Sequence, residues 1–366
     1  MSSWQECVKK SPIEWLLERK NLSVRLFTLR DLLDRDENDS EIREARAALS
    51  TSDIVTKILS KQKPEGHWED SATPYLPKYK ATYWQVMILG QLGLDRNDER
   101  VQRACDYVFG LQLKNGGFSI FTSEGAAAEY AIVKRRLLEK GKPLPEIGDW
   151  AKALVKEQEL SCLTGNMVSA LTRLGYGDDS RVKKALDWLL NVQNRDGGWL
   201  CPYWKAHIKD THSCFYGTIC PLEALSEIPE ARRTREMRAA IKRAVEFLLM
   251  HRIYKADHHG LRVINRGWLK FSYPWFYSYN VLRGLSVATK LGYVDDERLA
   301  EALKVLVQKR RADGTWALDS SPVGRMHVNI EPAGKPSKWI TLIALKVLKR
   351  LYQTRNETLR HIISKT

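Results

Sequence analysis

Between Asp196 and Gly217 the chain reads DGGWLCPYWKAHIKDTHSCFYG, which sets two cysteines, two histidines and two aspartates close together along the sequence. Thiolate, imidazole and carboxylate are the usual protein ligands of zinc. His212 and Cys214 are separated by one residue where a turn leads into a helix, so backbone that is not yet helical lets both side chains face one point. Cys201 follows the Gly-Gly-Trp turn, and Cys162 heads the preceding apolar helical segment. Cys162, Cys201, His212 and Cys214 thus compose a Cys3His set, the make-up of a closed tetrahedral zinc site whose sulfurs bind as thiolates. Asp210 and His207 are alternative ligands. The competing reading treats the cysteines as small apolar filling and His212 as a hydrogen-bonded histidine. Cys7, Cys105 and Cys220 are read as structural.

A second group with chemical potential is FSYPWFYSYN, Phe271 to Asn280. Aromatic faces stabilise a cation through their quadrupoles and also wall an apolar chain. Tyr273, Trp275, Tyr277, Tyr279 and Asn280, with Tyr83, Trp84, Asn166 and Trp339, are the expected lining of a cavity; packing between helix layers is the alternative. Lys78, Lys80, Lys335 and Lys338 stand near the starts of two apolar segments and are candidates to hold an anion such as a diphosphate. Solvated lysines are the alternative there. The chain has no Walker loop and no dinucleotide glycine fingerprint.

Positioning these groups requires a large core, and 366 residues with 43% hydrophobic content supply one. The net charge of +15 favours an anionic partner: a diphosphate or an anionic membrane surface. The basic residues are scattered along helical segments, so nucleic acid is not expected. Six cysteines in so long a chain do not make a disulfide framework. The N-terminal MSSWQECVKK lacks an apolar stretch after its charges and no run of 18 apolar residues occurs, so a cytoplasmic location is expected.

Four segments align as repeats: SKQKPEGHW ending at Trp68, GLQLKNGGF at Phe118, NVQNRDGGW at Trp199 and VQKRRADGTW at Trp316. Each reads as a helix end, a glycine turn and an aromatic that packs back over the helix. Amphipathic segments such as DDSRVKKALDWLLNVQ precede the turns, with Asp178, Asp179, Asp295 and Asp296 as N-terminal caps. Apolar helices are expected from YKATYWQVMILGQLG, SCLTGNMVSALTRLG, HSCFYGTICPLEALSEI, WFYSYNVLRGLSVATKLG and SKWITLIALKVLKRL. A degenerate turn is expected near MHRIYKADHHG. Alternating polar and apolar helices with this period predict an all-α protein, an α/α toroid of inner and outer helices around a cavity. The expected organisation is a single domain over 1–366, with 1–50 an N-terminal helical segment and about 119–158 an insertion between repeats.

These glutamine-to-tryptophan turns resemble those of the superfamily of squalene and hopene cyclases and protein prenyltransferase β subunits. More narrowly, YLPKYKATYW, CLTGNMVSALTRLGY, THSCFYGTICPLEALSEIP and GKPSKWITLIALKVLKR are similar to a prokaryotic squalene cyclase-like or prenyltransferase-like family. The resemblance implies the toroid and an isoprenoid-acting enzyme. It also raises the weight of zinc, because prenyltransferases hold zinc with Cys and His-x-Cys elements at inner helix ends and THSCFYG is similar to one of these. The Asp-x-Asp-Asp acid motif of the cyclases is missing, which argues against cyclisation started by that acid. Two other classes compete: a non-catalytic lipid- or isoprenoid-binding toroid with structural zinc, and a carbohydrate-active toroid, which needs paired acids and offers Glu223 and Asp210.

Overall fold

A computed structural model describes residues 4, 11–201, 212–258, 260–322 and 324–364, so Cys7, His207 and Asp210 lie outside the described residues. The helices in chain order are α1 (Ile13–Leu16), α2 (Leu22–Phe27), α3 (Ser40–Leu49), α4 (Asp53–Leu59), α5 (Thr82–Leu92), α6 (Glu99–Gly110), α7 (Ser123–Glu139) and α8 (Ile147–Glu157). They continue as α9 (Ser161–Leu171), α10 (Ser180–Asn191), α11 (Phe215–Glu227), α12 (Arg235–Met250), α13 (Val281–Lys290), α14 (Ala300–Gln308), α15 (Lys338–Leu351) and α16 (Glu357–Ile363). Single turns of π-helix extend α2 (Thr28–Leu32) and α9 (Thr172–Tyr176). Among the described residues β-structure is confined to isolated bridges.

Two helix types alternate, as the pattern predicts. α5, α9, α11, α13 and α15 are buried along nearly their whole length. α6, α10 and α14 each bury one stripe, such as Val101, Ala104, Cys105 and Val108, at the spacing that keeps residues on one helix face. The starts of the outer helices share one device. Asp98, Asp179 and Asp296 each accept the backbone N–H two residues on, at 2.8–2.9 Å, and the arginine at that position folds its guanidinium back onto the same carboxylate. The neighbouring acids do other work: Asp178 pairs with Arg232, and Asp295 accepts from Thr354 Oγ1 and Arg355 N.

The chain forms two compact units, one of residues 57–237 and 325–327, the other of 1–56, 238–324 and 328–366. In the first, α9 packs against α5, α10 and α11, while α7 and α8 pack on each other. The α9–α11 crossing is close: a Cβ on Gly165 would lie 2.4 Å from the backbone nitrogen of Pro221. In the second, α13 packs against α14 and α15, and α15 also meets α1 and α2.

The repeated turns follow one hydrogen-bond plan. The indole of Trp68, Trp199 and Trp316 donates to the carbonyl ten residues back, at 2.9, 2.8 and 2.7 Å, which folds the ring over its own outer helix. The backbone N–H of Trp68, Phe118, Trp199 and Trp316 donates to Oγ1 of Thr82, Thr164, Thr218 and Thr341 on the following inner helix, at 3.0–3.1 Å. Gln62 and Gln112 each use the amide nitrogen to bridge the turn carbonyl and a carbonyl of the next outer helix, Arg100 and Arg181. Gly66 (φ 98°) and Gly116 (φ 106°) are required twice over, by their left-handed backbone and because a Cβ would sit 2.3–2.4 Å from the carbonyls of Arg103 and Lys184.

The structure corrects one inner element. The segment WFYSYN does not begin a helix; α13 starts at Val281, and Phe271–Asn280 runs as irregular chain. Pro274 lacks an N–H for a helix, and Asn280 is an extended cap (φ −152°) whose side chain accepts from Arg283 N at 2.8 Å. The weak turn near MHRIYKADHHG is made without glycine at its bend, by Arg252 (φ 43°) and Ile253 (φ 73°).

Candidate functional site

The glycine turn DGGW and the start of α11 are tied together before any cysteine is placed. Asp196 accepts from the Ser213 backbone N–H at 2.7 Å and from its hydroxyl, and Cys214 N donates to the Trp199 carbonyl at 2.9 Å. Ser161 at the head of α9 donates to the Leu200 carbonyl at 3.1 Å. These bonds bring Cys201, Cys214 and Cys162 into one neighbourhood. The thiols of Cys201 and Cys214 share a hydrogen bond. Cys162 lies within electrostatic reach of Cys201 and Cys220.

The cluster is apolar in character. Cys201 and Cys214 are 7% and 3% exposed. The hydrogen bond with Cys201, then burial, drives the Cys214 thiol far above its ordinary range, and burial followed by the neighbouring thiols does the same to Cys162. Such thiols stay protonated, and only a bound cation would convert them to thiolates. His212 is half-buried with Nδ1 2.8 Å from the Ser213 carbonyl, which leaves Nε2 as its ligand atom when Nδ1 carries the proton. Among the described residues, however, the three sulfurs and this histidine do not gather to within 4.8 Å of one another. The residues therefore fit a zinc shell in part: a thiol pair in contact, with a third thiol nearby.

The aromatic candidates form two groups, one in each unit. In the first unit, Trp84 on α5 packs against Tyr75 and Tyr79 and donates its indole N–H to the Tyr75 carbonyl at 2.7 Å. Tyr83 is buried, meets Phe118 edge-on and donates to the Ser119 carbonyl at 3.2 Å. Asn166 is buried on α9. In the second unit, Tyr273 stacks on Trp339 with centroids 4.4 Å apart and planes 13° from parallel, and Phe27 approaches Trp339 from another side. Trp339 Nε1 is buried without a hydrogen-bond acceptor. Tyr279 donates to the Ile253 carbonyl at 2.6 Å, Asn280 donates to Ser272 Oγ at 2.9 Å, and Tyr277 is half-buried.

A buried arginine organises this second group. Arg283, 1% exposed, donates to the carbonyls of Phe276 and Ser278 at 2.8 and 2.7 Å, and its guanidinium lies 5.6 Å from the Trp275 ring centroid. The irregular aromatic segment is held from the first turn of α13.

The four lysines differ in their surroundings. Lys78 and Lys335 are exposed, and Lys80 is half-buried. Lys338 is 8% exposed, and its ammonium donates to the Trp15 carbonyl at 2.5 Å and to Glu18 at 2.8 Å.

The acids sort by partner. Glu223 is buried on α11, and Arg173 of the π-turn binds both it and Glu227. That ion triad is a structural use of the carboxylate. Burial raises the pKa of two other carboxyls, Glu159 and Glu331, above the ordinary range. Glu331 spends both oxygens on the start of α15, accepting from the Ser337 hydroxyl and from Lys338 N at 2.8 Å. Glu159 stands just before α9 with Oε1 buried and without a hydrogen-bond partner. Neither acid belongs to a recognisable motif, so sequence reading passed over both. The four threonines of the turns were also missed, although aligning KATYW, CLTGN, YGTIC and KWITL places a threonine early in each of these inner segments.

With the helix pairs and their turns in view, the chain is of the all-α, α/α-toroid class. A profile of the family described as the squalene-hopene cyclase C-terminal domain matches residues 62–257, more than half of the chain, and the protein belongs to that family. Among solved structures the chain is similar to the type II terpene cyclase MstE from Scytonema, with 16% identity over 91% of this chain and 88% of that one and a TM-score of 0.42. A variant of that cyclase in complex with geranylgeranyl dihydroxybenzoate, its substrate, matches with 16% identity, coverage of 91% and 86%, and a TM-score of 0.42. A protein from Actinoplanes matches with 14% identity, coverage of 96% and 99%, and a TM-score of 0.44. No helix among the described residues is long and apolar enough to cross a membrane.

Proposed function

We propose that the protein acts on an isoprenoid or similar apolar chain, as a prenyltransferase-like or terpene cyclase-like enzyme whose chemistry does not begin at an Asp-x-Asp-Asp acid. Membership of the squalene-hopene cyclase C-terminal domain family over residues 62–257 carries this reading. The buried aromatic groups around Trp84 and Trp339 support it, since ring faces suit both a polyprene chain and a developing carbocation. Where a proton is needed, Glu159 is the described carboxyl best suited to carry one: burial raises its pKa and Oε1 is not engaged.

Zinc at Cys162, Cys201, His212 and Cys214 forms part of the proposal, and what supports it is the paired Cys201 and Cys214 thiols with Cys162 nearby. When bound, such an ion supplies a Lewis acid if one position stays open and a structural clamp if none does. No reaction step is assigned to it.

The reading is tested by incubating purified protein with squalene and with geranylgeranyl-bearing substrates, following products by gas chromatography and mass spectrometry, with Glu159→Gln as the comparison. Turnover lost in Glu159→Gln, with the melting temperature kept, supports the enzyme. The second reading, an isoprenoid binder without turnover, is favoured by the engagement of Glu223 with Arg173. It is the outcome if native mass spectrometry finds a retained polyprene and no product forms. Neither product nor bound polyprene would defeat both readings.

A further inference from the structure

The exposed apolar side chains of the protein are unevenly spread. Among the described residues nine large ones are exposed, and four of them, Ile132, Leu138, Leu144 and Ile147, fall within residues 132–147. That stretch is the end of α7, the loop after it and the first residue of α8, two helices that pack on each other. From 131 to 149 every residue is exposed except Val133 and Leu137, which share a helix face with the buried Tyr130. Single exposed leucines are ordinary on a protein surface, whereas a cluster on one hairpin end marks a face that meets something.

The hairpin end is tied down with these side chains outside. Gly141 (φ 59°) supplies the left-handed residue after α7, and Lys142 N donates to the Leu137 carbonyl at 3.0 Å. Tyr130 reaches across the hairpin: its hydroxyl donates to the Pro145 carbonyl at 2.6 Å and its ring centroid lies 5.4 Å from that of Trp150. Leu144 stands between Pro143 and Pro145, neither of which has an N–H to continue a helix. The loop is thus held in place while Leu138, Leu144 and Ile147 stay 58, 38 and 47% exposed. Cations accompany them. Lys134 and Arg135 share a face of α7 with Leu138, and Lys140 and Lys142 lead into Leu144. Five basic residues against three acids give 131–149 a formal charge of +2. Arg135 faces Glu139 at 3.9 Å, but both are widely exposed and such a pair holds its partners loosely.

We propose that the α7–α8 hairpin end docks on the anionic surface of a lipid bilayer. Leu138, Leu144 and Ile147 enter the boundary between head groups and acyl chains, and the long basic side chains beside them stay at the level of the lipid phosphates. A bilayer surface answers both features at once, whereas a second copy of the chain would bring the same positive charge against this one. The contact is interfacial, since no helix among the described residues is long and apolar enough to cross a membrane. The proposal goes beyond the isoprenoid reading and does not depend on it.

The test floats the full chain with vesicles of phosphatidylcholine alone and of four parts phosphatidylcholine to one part phosphatidylglycerol. Leu144→Glu and Ile147→Glu alter the apolar end, a double variant of Lys140→Ser and Lys142→Ser alters its charge, and Ile264→Glu, at an exposed apolar residue of the second unit, is the control. Melting curves confirm that each variant folds. The wild type is expected to float with the anionic vesicles. Each glutamate at the hairpin end should weaken that binding by about tenfold or more, and the serine pair should do the same for anionic vesicles in particular, while Ile264→Glu floats as the wild type does. No flotation of the wild type, or flotation that Leu144→Glu and Ile147→Glu leave unchanged, overturns the proposal. So does a concentration-dependent dimer that Leu144→Glu dissolves in the absence of flotation, which would give the face to a second copy.

Discussion

Trp199 and Thr218, 19 residues apart in sequence, are joined by a hydrogen bond of 3.0 Å from a buried backbone N–H to a buried hydroxyl oxygen. The same bond recurs at Trp68, Phe118 and Trp316, so it belongs to the construction of the repeat. Thr218→Val keeps the shape and removes the acceptor, leaving an N–H that water does not reach. It should cost about 1–3 kcal/mol in urea unfolding, and Thr218→Ser should recover most of this. A valine variant as stable as the wild type would sink the clamp.

Gly165 and Gly148 should respond to alanine with opposite signs. At Gly165 the new methyl meets Pro221 N at 2.4 Å, and backbone cannot swing aside as a side chain can. We expect a loss of about 1–3 kcal/mol. At Gly148, in exposed α8, a Cβ meets nothing within 4 Å, and helix propensity favours alanine by up to about 1 kcal/mol. Thermal melting of the two variants side by side decides the point, and equal effects would contradict the close crossing of α9 and α11.

Glu331 should leave a signature in the pH dependence of stability. Burial raises its folded pKa above the ordinary value of 4.5, although Ser337 and the backbone of α15 pull the other way. Between 4.5 and the raised value the folded chain holds this proton while the unfolded chain has released it, so the contribution to stability falls as pH rises through that window. Glu331→Gln removes that titration. The difference in melting temperature between wild type and variant should therefore shift in the variant's favour as pH rises from about 4.5 towards neutrality, and a difference independent of pH would contradict the raised pKa.

The thiol cluster carries a metal prediction. Protein purified without chelators should contain about one zinc per chain, and Cys201→Ala and Cys214→Ala should each lower zinc content and melting temperature together, because metal binding and folding are linked. Cys105→Ala is the comparison. Cys105 lies buried on α6 with its pKa raised by burial to about 12, and its loss should leave zinc content alone. Metal-free protein whose melting does not change on zinc addition would return the cysteines to packing.

The repeat was legible because its signal is local. A glutamine, a glycine turn and an aromatic lie within a few residues, and inner and outer helices differ in composition enough to separate on inspection. Asp179 and Asp296 were readable as caps for the same reason. The aromatic segment before α13 was read too far into the helix, since Phe271–Asn280 is as apolar as a buried helix and the decisive residues are one proline and one capping asparagine. Glu159 stayed invisible because its raised pKa comes from burial, which is set by packing rather than by neighbours in sequence.

The bond between turn and inner helix spans 14 residues at Trp68, 46 at Phe118, 19 at Trp199 and 25 at Trp316. Its geometry hardly changes over that range, so the length of the connecting chain is mechanically irrelevant to it. The connectors behave as free sockets: α7 and α8 occupy one, Cys201 and the approach to Cys214 another, and Glu331 a third. Chain length in a connector can therefore vary without retuning the turn bond, whereas one residue added between glutamine and aromatic would derail the register of the whole turn.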